Sequence, residues 1–336
     1  DRLEPGPTQF GDNGPGLPVH DSIQRVLVTG AAGFIGRAVV AELRRAGLEP
    51  VTLDRDVTPP YASVDQPIPI DVVADLATAD LDAALSEVDA VVHLAGTPGV
   101  QSSWAEGFET HVRNNLVATQ RVCEAALRTD CQRVVVASSS SVYGDVERDL
   151  AREDDHLTPL SPYGASKAAV EHLLGAYAAR GLSIAAMRYF TVFGPGQRPD
   201  MAINRLFRAT VDGPAFPLRG TGEQCRSFTY VDDVAEATVR AVRRMGTSSV
   251  FNVGGGEVVS VRDLIKRIEA LTGRTIRIEQ LPPAPGDPGR TAADVTRAAT
   301  ELGWSATTSI DDGLAAQWHW HQRSATSPST APAYAT

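Results

Sequence analysis

Arg25-Val26-Leu27-Val28-Thr29-Gly30-Ala31-Ala32-Gly33-Phe34-Ile35-Gly36 is the stretch that decides the fold. Its first five residues, apolar from Val26 to Val28 and rich in β-branched side chains, read as a short buried strand. Glycine then recurs at 30, 33 and 36, and a helical pattern follows to about Arg45. Glycines at that spacing let the backbone turn tightly and bring helix N-terminal amides against a pyrophosphate. A second strand, Val51-Thr52-Leu53, ends in Asp54. An acid there can accept bonds from both ribose hydroxyls and repels a 2′-phosphate, which favours NAD over NADP. Arg55, next in line, is the residue that could draw a phosphate instead.

Working outward, apolar strands and helices keep alternating. Ala90 to Gly96 reads as a strand, Thr110 to Arg128 as a long helix, and Val134 to Ser138 as a strand. A helix runs from Tyr163 to about Arg180, and another strand from Ile184 to Tyr189. Near-continuous apolar strands separated by helices imply a parallel sheet covered on both faces, a doubly wound α/β (Rossmann) fold. The expected organisation is an NAD-binding Rossmann domain over 23–190 and a smaller α/β C-terminal domain over 191–322 that mainly binds substrate. About 229–253 is expected to return to the Rossmann domain. Residues 1–22 and 323–336, rich in Pro, Gly, Ser, Thr and Ala, are expected to be disordered. Gly254-Gly255-Gly256 reads as a strand-to-helix loop.

Composition excludes several classes. The formal net charge of −10 argues against general binding to nucleic acid or to an anionic membrane. No apolar run approaches the ~18 residues needed to span a bilayer. Cys123, Cys131 and Cys225 are odd in number and widely spaced, which suits a reducing compartment and neither a disulfide framework nor a zinc site. The cytoplasm is the expected location. His319 and His321, two apart, would face different sides of a helix, so no metal site is expected.

Only two lysines occur among 336 residues, and one, Lys167, lies four positions after Tyr163 in Ser161-Pro162-Tyr163-Gly164-Ala165-Ser166-Lys167. Residues four apart share a helix face. An ammonium beside a phenol stabilises the phenolate and makes a better base. Upstream, a strand ends in Ser138-Ser139-Ser140-Ser141 before Val142-Tyr143-Gly144. In doubly wound sheets the carboxyl ends of strands carry the site, so a hydroxyl here would lie near the start of the Tyr163 helix.

The ordered set of Thr-Gly-x-x-Gly-x-x-Gly, His93-Leu94-Ala95-Gly96, Ser138 to Gly144, Tyr-x-x-x-Lys and Arg226-Ser227-Phe228-Thr229-Tyr230-Val231-Asp232-Asp233 resembles the extended short-chain dehydrogenase/reductases. Within them it is similar to the nucleotide-sugar epimerases and dehydratases, over about residues 23 to 320. The resemblance implies Ser139, Tyr163 and Lys167 as the catalytic set, with Tyr163 as acid/base and Lys167 tuning it. It implies NAD held by Gly30, Gly33, Phe34, Ile35, Gly36, Asp54, Arg55, Asp75, Leu76, Leu94, Ala95, Gly96, Asn114, Tyr163, Lys167 and Tyr189. The substrate would meet Ser139, Ser140, Ser141, Thr191, Arg198, Arg226 and Asp287, with Arg226 on the pyrophosphate and Asp287 near the nucleotide ribose. A homodimer formed through the helices Thr110–Arg128 and Tyr163–Arg180 is also implied. Ala125, Ala126, Ala176, Ala178 and Ala179 give those helices more than one apolar face.

Dehydratases of this family place Asp-Glu after the catalytic hydroxyl, and UDP-glucuronate decarboxylases place Glu before Val-Tyr-Gly. Ser140 and Ser141 stand there in this chain, and neither can act as a carboxylate acid or base. Oxidation at C4 and re-reduction, an epimerisation, is what remains. Thr191 followed by Gln197-Arg198-Pro199-Asp200-Met201 resembles UDP-glucuronate 4-epimerases, where the threonine and arginine hold the C6 carboxylate. Gln101, in Gly99-Val100-Gln101, departs from the arginine common at that point. A 4-epimerase of another UDP- or dTDP-sugar therefore stays open, as does a nucleotide-sugar 4-ketoreductase or dehydrogenase. A non-enzymatic scaffold would be expected to have lost Ser139, Tyr163 or Lys167.

Overall fold

The computed structural model describes residues 22–57, 68–146, 149–211, 213–246 and 248–326. Seven parallel strands form its main sheet: β1 (Arg25–Thr29), β2 (Glu49–Asp54), β3 (Val72–Val73), β4 (Ala90–His93), β5 (Arg133–Ser139), β6 (Ser183–Tyr189) and β11 (Ser248–Val253). Their order across the sheet is β11-β6-β5-β4-β1-β2-β3. After β2 and β3 have extended one edge, the chain crosses to the other side of β1. The switch between β1 and β4 opens a crevice at the strands' carboxyl ends, where such sheets bind ligands.

Alternation along the strands feeds two cores. Val26, Val28, Val92 and Val135 pack under α1 (Phe34–Arg45) and α7 (Val231–Arg244). Leu27, Val91, Val134 and Val136 face α4 (Ala118–Arg128) and α5 (Pro162–Ala178). Strands buried on both faces have no polar side, which is why they read as continuous apolar runs. A shorter helix, α2 (Asp82–Leu85), closes against α4 through Arg128, whose guanidinium bonds Asp82 at 2.7 Å.

The helix expected over Thr110–Arg128 is a composite. α3 (Gly107–His111) passes into one π-helical turn, Val112–Val117, before α4 begins. The turn carries Asn114 and Asn115, both bonded to Thr97, and single π turns are enriched at functional sites.

Most of the chain after β6 builds a smaller unit with its own core. β7 (Val192–Phe193) pairs with β10 (Thr229–Tyr230), and β9 (Cys225–Ser227) lies between β12 (Val258–Ser260) and β14 (Arg290–Thr291). β8 (Phe216–Arg219) pairs with β13 (Ile278–Leu281). Helices α6 (Ala202–Thr210), α8 (Val261–Thr272) and α9 (Ile310–Thr326) enclose a third core around Phe193, Phe207, Leu264 and Trp318. Between its pieces the chain returns to the main sheet: α7 packs on α1, and β11 pairs with β6. Gly254–Gly256 leads first into β12, paired antiparallel with β9, rather than directly into a helix. α9 continues to Thr326, past the boundary expected at 322, and except for Ser22 the other residues of the expected disordered ends lie outside the described ones.

Candidate active site

The crevice is built from the glycine turn. Gly30 has φ +69, and a Cβ there would lie 2.7 Å from the Ala95 amide nitrogen, so β1 and the end of β4 can approach this closely only with glycine. Gly36 is buried in the contact between α1 and that turn. Asp54 closes the side: its carboxylate accepts from the amides of Ala32 at 3.0 Å and Arg55 at 2.8 Å. Gly30, Gly33, Asp54, Arg55, Asp75, Leu76, Leu94, Ala95, Gly96 and Asn114 all line one groove. Ala32, Leu53, Asp56 and Thr97 line it too, and the sequence reading missed them. The groove fits a dinucleotide: glycine backbone at a helix start for a pyrophosphate, and Asp54 at the second strand's end for a ribose.

Its floor is fixed by buried polar contacts. His93 is held between Thr29 Oγ1, 2.7 Å from Nδ1, and Thr119 Oγ1, 3.0 Å from Nε2. Burial pushes its imidazole down to about 3, with the Lys167 charge adding to the effect, so it is neutral. Asn115 is fully buried, accepts the Thr97 amide at 2.7 Å and donates to Ser166 Oγ at 3.2 Å. The expected asparagine, Asn114, is at the groove and donates to Thr97 Oγ1 at 2.8 Å, but its neighbour carries the buried clamp. On the rim, a hydrogen bond from Arg113 holds the Asp75 carboxyl below the usual carboxylate range.

The remaining expected cofactor residues divide. Ile35 packs into the core beneath α1. Phe34, at the helix start, faces Gly196 of the loop after β7, where a Cβ would lie 3.8 Å from the phenyl ring. Tyr189 does not present its hydroxyl to the groove: it is buried in the core shared with α1 and α7, 2.8 Å from Thr238 Oγ1. β6 alternates faces, and this position falls on the α7 side.

The end of β5 and the start of α5 come together next to Lys167, which reaches Gly96 of the groove. Ser139 is the last residue of β5, and a 3₁₀ turn, Ser140–Val142, follows it. Ser161 caps α5, accepting from the Gly164 amide at 3.1 Å, with Pro162 in the first turn. A Cβ on Gly164 would lie 2.4 Å from the Ser141 carbonyl oxygen, so only glycine lets α5 start against this turn. Tyr163, on the first turn of α5, is thereby brought beside the turn that follows Ser139. Burial raises the phenol's pKa, while the Ser139 hydroxyl and the Arg198 charge pull it down. Lys167 is buried one turn on, donating to the Ala137 carbonyl at 2.8 Å, and lies 3.9 Å from where a Cβ on Gly96 would be. Burial draws its ammonium down to about 8, with Glu171 opposing.

The smaller unit meets the main one beside the start of α5. Arg226 and Asp287 are ion-paired at 2.6 Å. Gln101 donates to the Pro285 carbonyl at 3.3 Å, and a Cβ on Gly286 would meet both Trp104 and Ser161. The loop carrying Asp287 is thus fastened beside the start of α5. Arg198 acts electrostatically on Tyr163, yet its guanidinium is forked onto Asp200, with Nε 2.9 Å from Oδ1. Thr191 sits between β6 and β7, its carbonyl accepting from the Thr229 amide at 2.9 Å. Among the described residues no three His, Cys, Asp or Glu side chains are grouped to hold a metal ion. His321 is stacked on Trp318 and Phe207, whereas His319 is exposed.

The profile of the NAD-dependent epimerase/dehydratase family matches residues 26–254. This chain belongs to that family. It is therefore an enzyme that works with NAD. An uncharacterised UDP-glucose epimerase, YtcB of Bacillus subtilis (strain 168), is 36% identical over 302 residues, covering 86% of this chain and 95% of its own length. Among solved structures, MoeE5 in complex with UDP-glucuronic acid and NAD is 44% identical, with a TM-score of 0.83 over 89% of this chain and 99% of its own. The same protein is also known with UDP-glucose and NAD. UDP-glucuronic acid 4-epimerase from Bacillus cereus, bound to UDP-glucuronic acid and NAD, is 36% identical, with a TM-score of 0.82 over 89% of this chain and 99% of its own. No described helix is long and apolar enough to cross a membrane.

Proposed function

We propose that this enzyme is a nucleotide-sugar 4-epimerase that interconverts UDP-glucuronate and UDP-galacturonate. The observation that carries the reading is the start of α5, with Tyr163, packed against the turn that follows Ser139, while Lys167 one turn on reaches Gly96 of the groove. NAD supplies the chemistry of taking a hydride from C4 of the sugar and returning it. Tyr163 takes the proton of the C4 hydroxyl and gives it back, and Ser139 holds the same oxygen. Lys167 tunes the phenol from the next helical turn. With serine at 140 and 141, no carboxylate follows Ser139 to drive elimination. The 4-keto sugar formed after oxidation turns over within the site before re-reduction.

Arg226 and Asp287, on the smaller unit, bracket the substrate's nucleotide end. Arg198 with Thr191 binds the C6 carboxylate, since a guanidinium recognises a carboxylate through two directed bonds. Holding that carboxylate also keeps the β-keto acid out of alignment for loss of carbon dioxide. The Asp200 fork on Arg198, together with the names of the relatives, supports a second reading, a 4-epimerase of neutral UDP-glucose. Incubation with UDP-glucuronate or UDP-glucose and no added cofactor, followed by product analysis, separates the two. Net consumption of added NAD(P)H would instead identify a reductase.

The functional unit we propose is a homodimer formed through α4 and α5. Val117 is exposed at the end of the π turn that leads into α4, and α5 is apolar around most of its circumference. Ala125 and Ala126 do not contribute to this face, because both are fully buried inside the chain. Light scattering showing only monomer at micromolar concentration would remove the dimer.

A further inference from the structure

Tyr163 and Lys167 continue, at the same spacing, to Glu171, which the catalytic reading leaves without a role. Glu171 is 3% exposed. It accepts from Ser138 Oγ and from Arg188, whose Nε and Nη2 lie 3.0 and 2.7 Å from its oxygens. Arg188, on β6, is equally buried and donates onward to the Tyr143 hydroxyl at 2.6 Å and the Glu153 carbonyl at 3.0 Å. Two bonds from α5 thus hold consecutive residues at the end of β5: Lys167 on Ala137, and Glu171 on Ser138. Ser139 is the residue after them. We propose that Glu171 is a positioning residue for the site: it pins the end of β5 so that Ser139 faces Tyr163, and its negative charge separates two buried cations, Arg188 and Lys167.

This inference rests on the assignment of Ser139, Tyr163 and Lys167 as the reacting set. Other charged or titratable groups face Lys167 and its neighbours. His93 on β4 is neutral, and Tyr143, on the turn after β5, is kept protonated by burial. Glu153 shares Arg188, and Arg198 acts from the loop after β7. Of these groups only Glu153 is a carboxylate, and its side chain bonds the Asn252 amide while Arg188 reaches its backbone carbonyl, which leaves Glu171 as the carboxylate bonded to Arg188. Without Glu171, repulsion would have to be relieved by loss of a proton, and guanidinium does not give one up. Lys167 would give up its proton more readily and support the phenolate less.

The chain's two lysines make the test direct. In NAD-loaded protein carrying 13Cε-labelled lysine, one signal belongs to exposed Lys266, assigned by Lys266→Gln, and the other to Lys167. In Glu171→Gln the Lys167 titration midpoint should fall by about 1 unit or more. In Arg188→Gln it should rise, because the same carboxylate then faces one cation. Glu171→Asp should keep the wild-type midpoint. Opposite shifts cannot come from general loosening of the core, which would move both variants alike. An unchanged midpoint in either Gln variant overturns the proposal, so the test survives if one of them fails to fold. The readout needs no sugar: if wild-type enzyme leaves UDP-glucuronate unchanged while these shifts appear, the substrate assignment fails and the role of Glu171 stands.

Discussion

Gly164→Ala separates packing from chemistry at the point where the turn after Ser139 meets the start of α5. In an exposed helix interior, alanine in place of glycine stabilises by roughly 0.5–1 kcal/mol. Here the new methyl would lie 2.4 Å from the Ser141 carbonyl oxygen and 3.0 Å from Pro159 Cβ, against an ordinary contact of 3.4 Å or more. The start of α5 and the Ser140–Val142 turn must therefore part by about 1 Å, and neither partner is the flexible end of a side chain. A misplacement of about 1 Å between reacting groups can lower turnover about 100-fold. Expected outcomes are a fall in kcat of that order, a lower melting temperature despite alanine's helix propensity, and unchanged NAD content after gel filtration. Gly256→Ala is the control, since a Cβ there meets nothing within 4 Å. A Gly164→Ala enzyme with wild-type kcat and a raised melting temperature would refute the close-approach argument.

Tyr163→Phe removes the acid/base and little volume, so turnover should drop roughly 10²- to 10⁴-fold while NAD remains bound; retained activity would transfer the proton to another group. Arg198→Ala should raise KM for UDP-glucuronate about 10-fold and leave that for UDP-glucose nearly unchanged. The low end of the charge-assisted range is expected because Asp200 already occupies the fork; equal losses for both sugars would remove the carboxylate assignment. Nucleotide released from denatured wild-type protein should be NAD(H), and Asp54→Ala should weaken that preference while loosening the Ala32 turn; recovering NADP from wild type would overturn the role given to Asp54. His93 is held neutral down to about pH 3 while its unfolded counterpart titrates near 6.5, so the unfolded state binds more protons between those values. Stability should fall as pH drops below about 6.5, and His93→Gln should flatten that dependence in urea melts between pH 7 and 5.

Much of this protein was legible along the chain because its signals are local. A buried strand, a glycine turn and a following helix are fixed by residues within a few positions, so β1, α1 and the Asp54 corner follow from sequence alone. Tyr163 and Lys167 are legible for the same reason, one helical turn being a short-range rule. Resemblance to a family supplied what locality could not, the partnership of Ser139 with Tyr163 across 24 positions. Glu171 also stood at helical spacing, but its importance depends on Arg188 and Ser138, which only the crossing of α5 over β5 and β6 brings to it. The π turn, the burial of Asn115 rather than Asn114, and the turning of the Tyr189 hydroxyl toward Thr238 were likewise settled by packing. So was the burial of Ala125 and Ala126: composition shows an apolar helix face, but what covers that face is decided by the strands lying against it. Local backbone chemistry sets which elements form, whereas burial and long-range hydrogen bonding, which depend on residues distant in sequence, set where each polar side chain points.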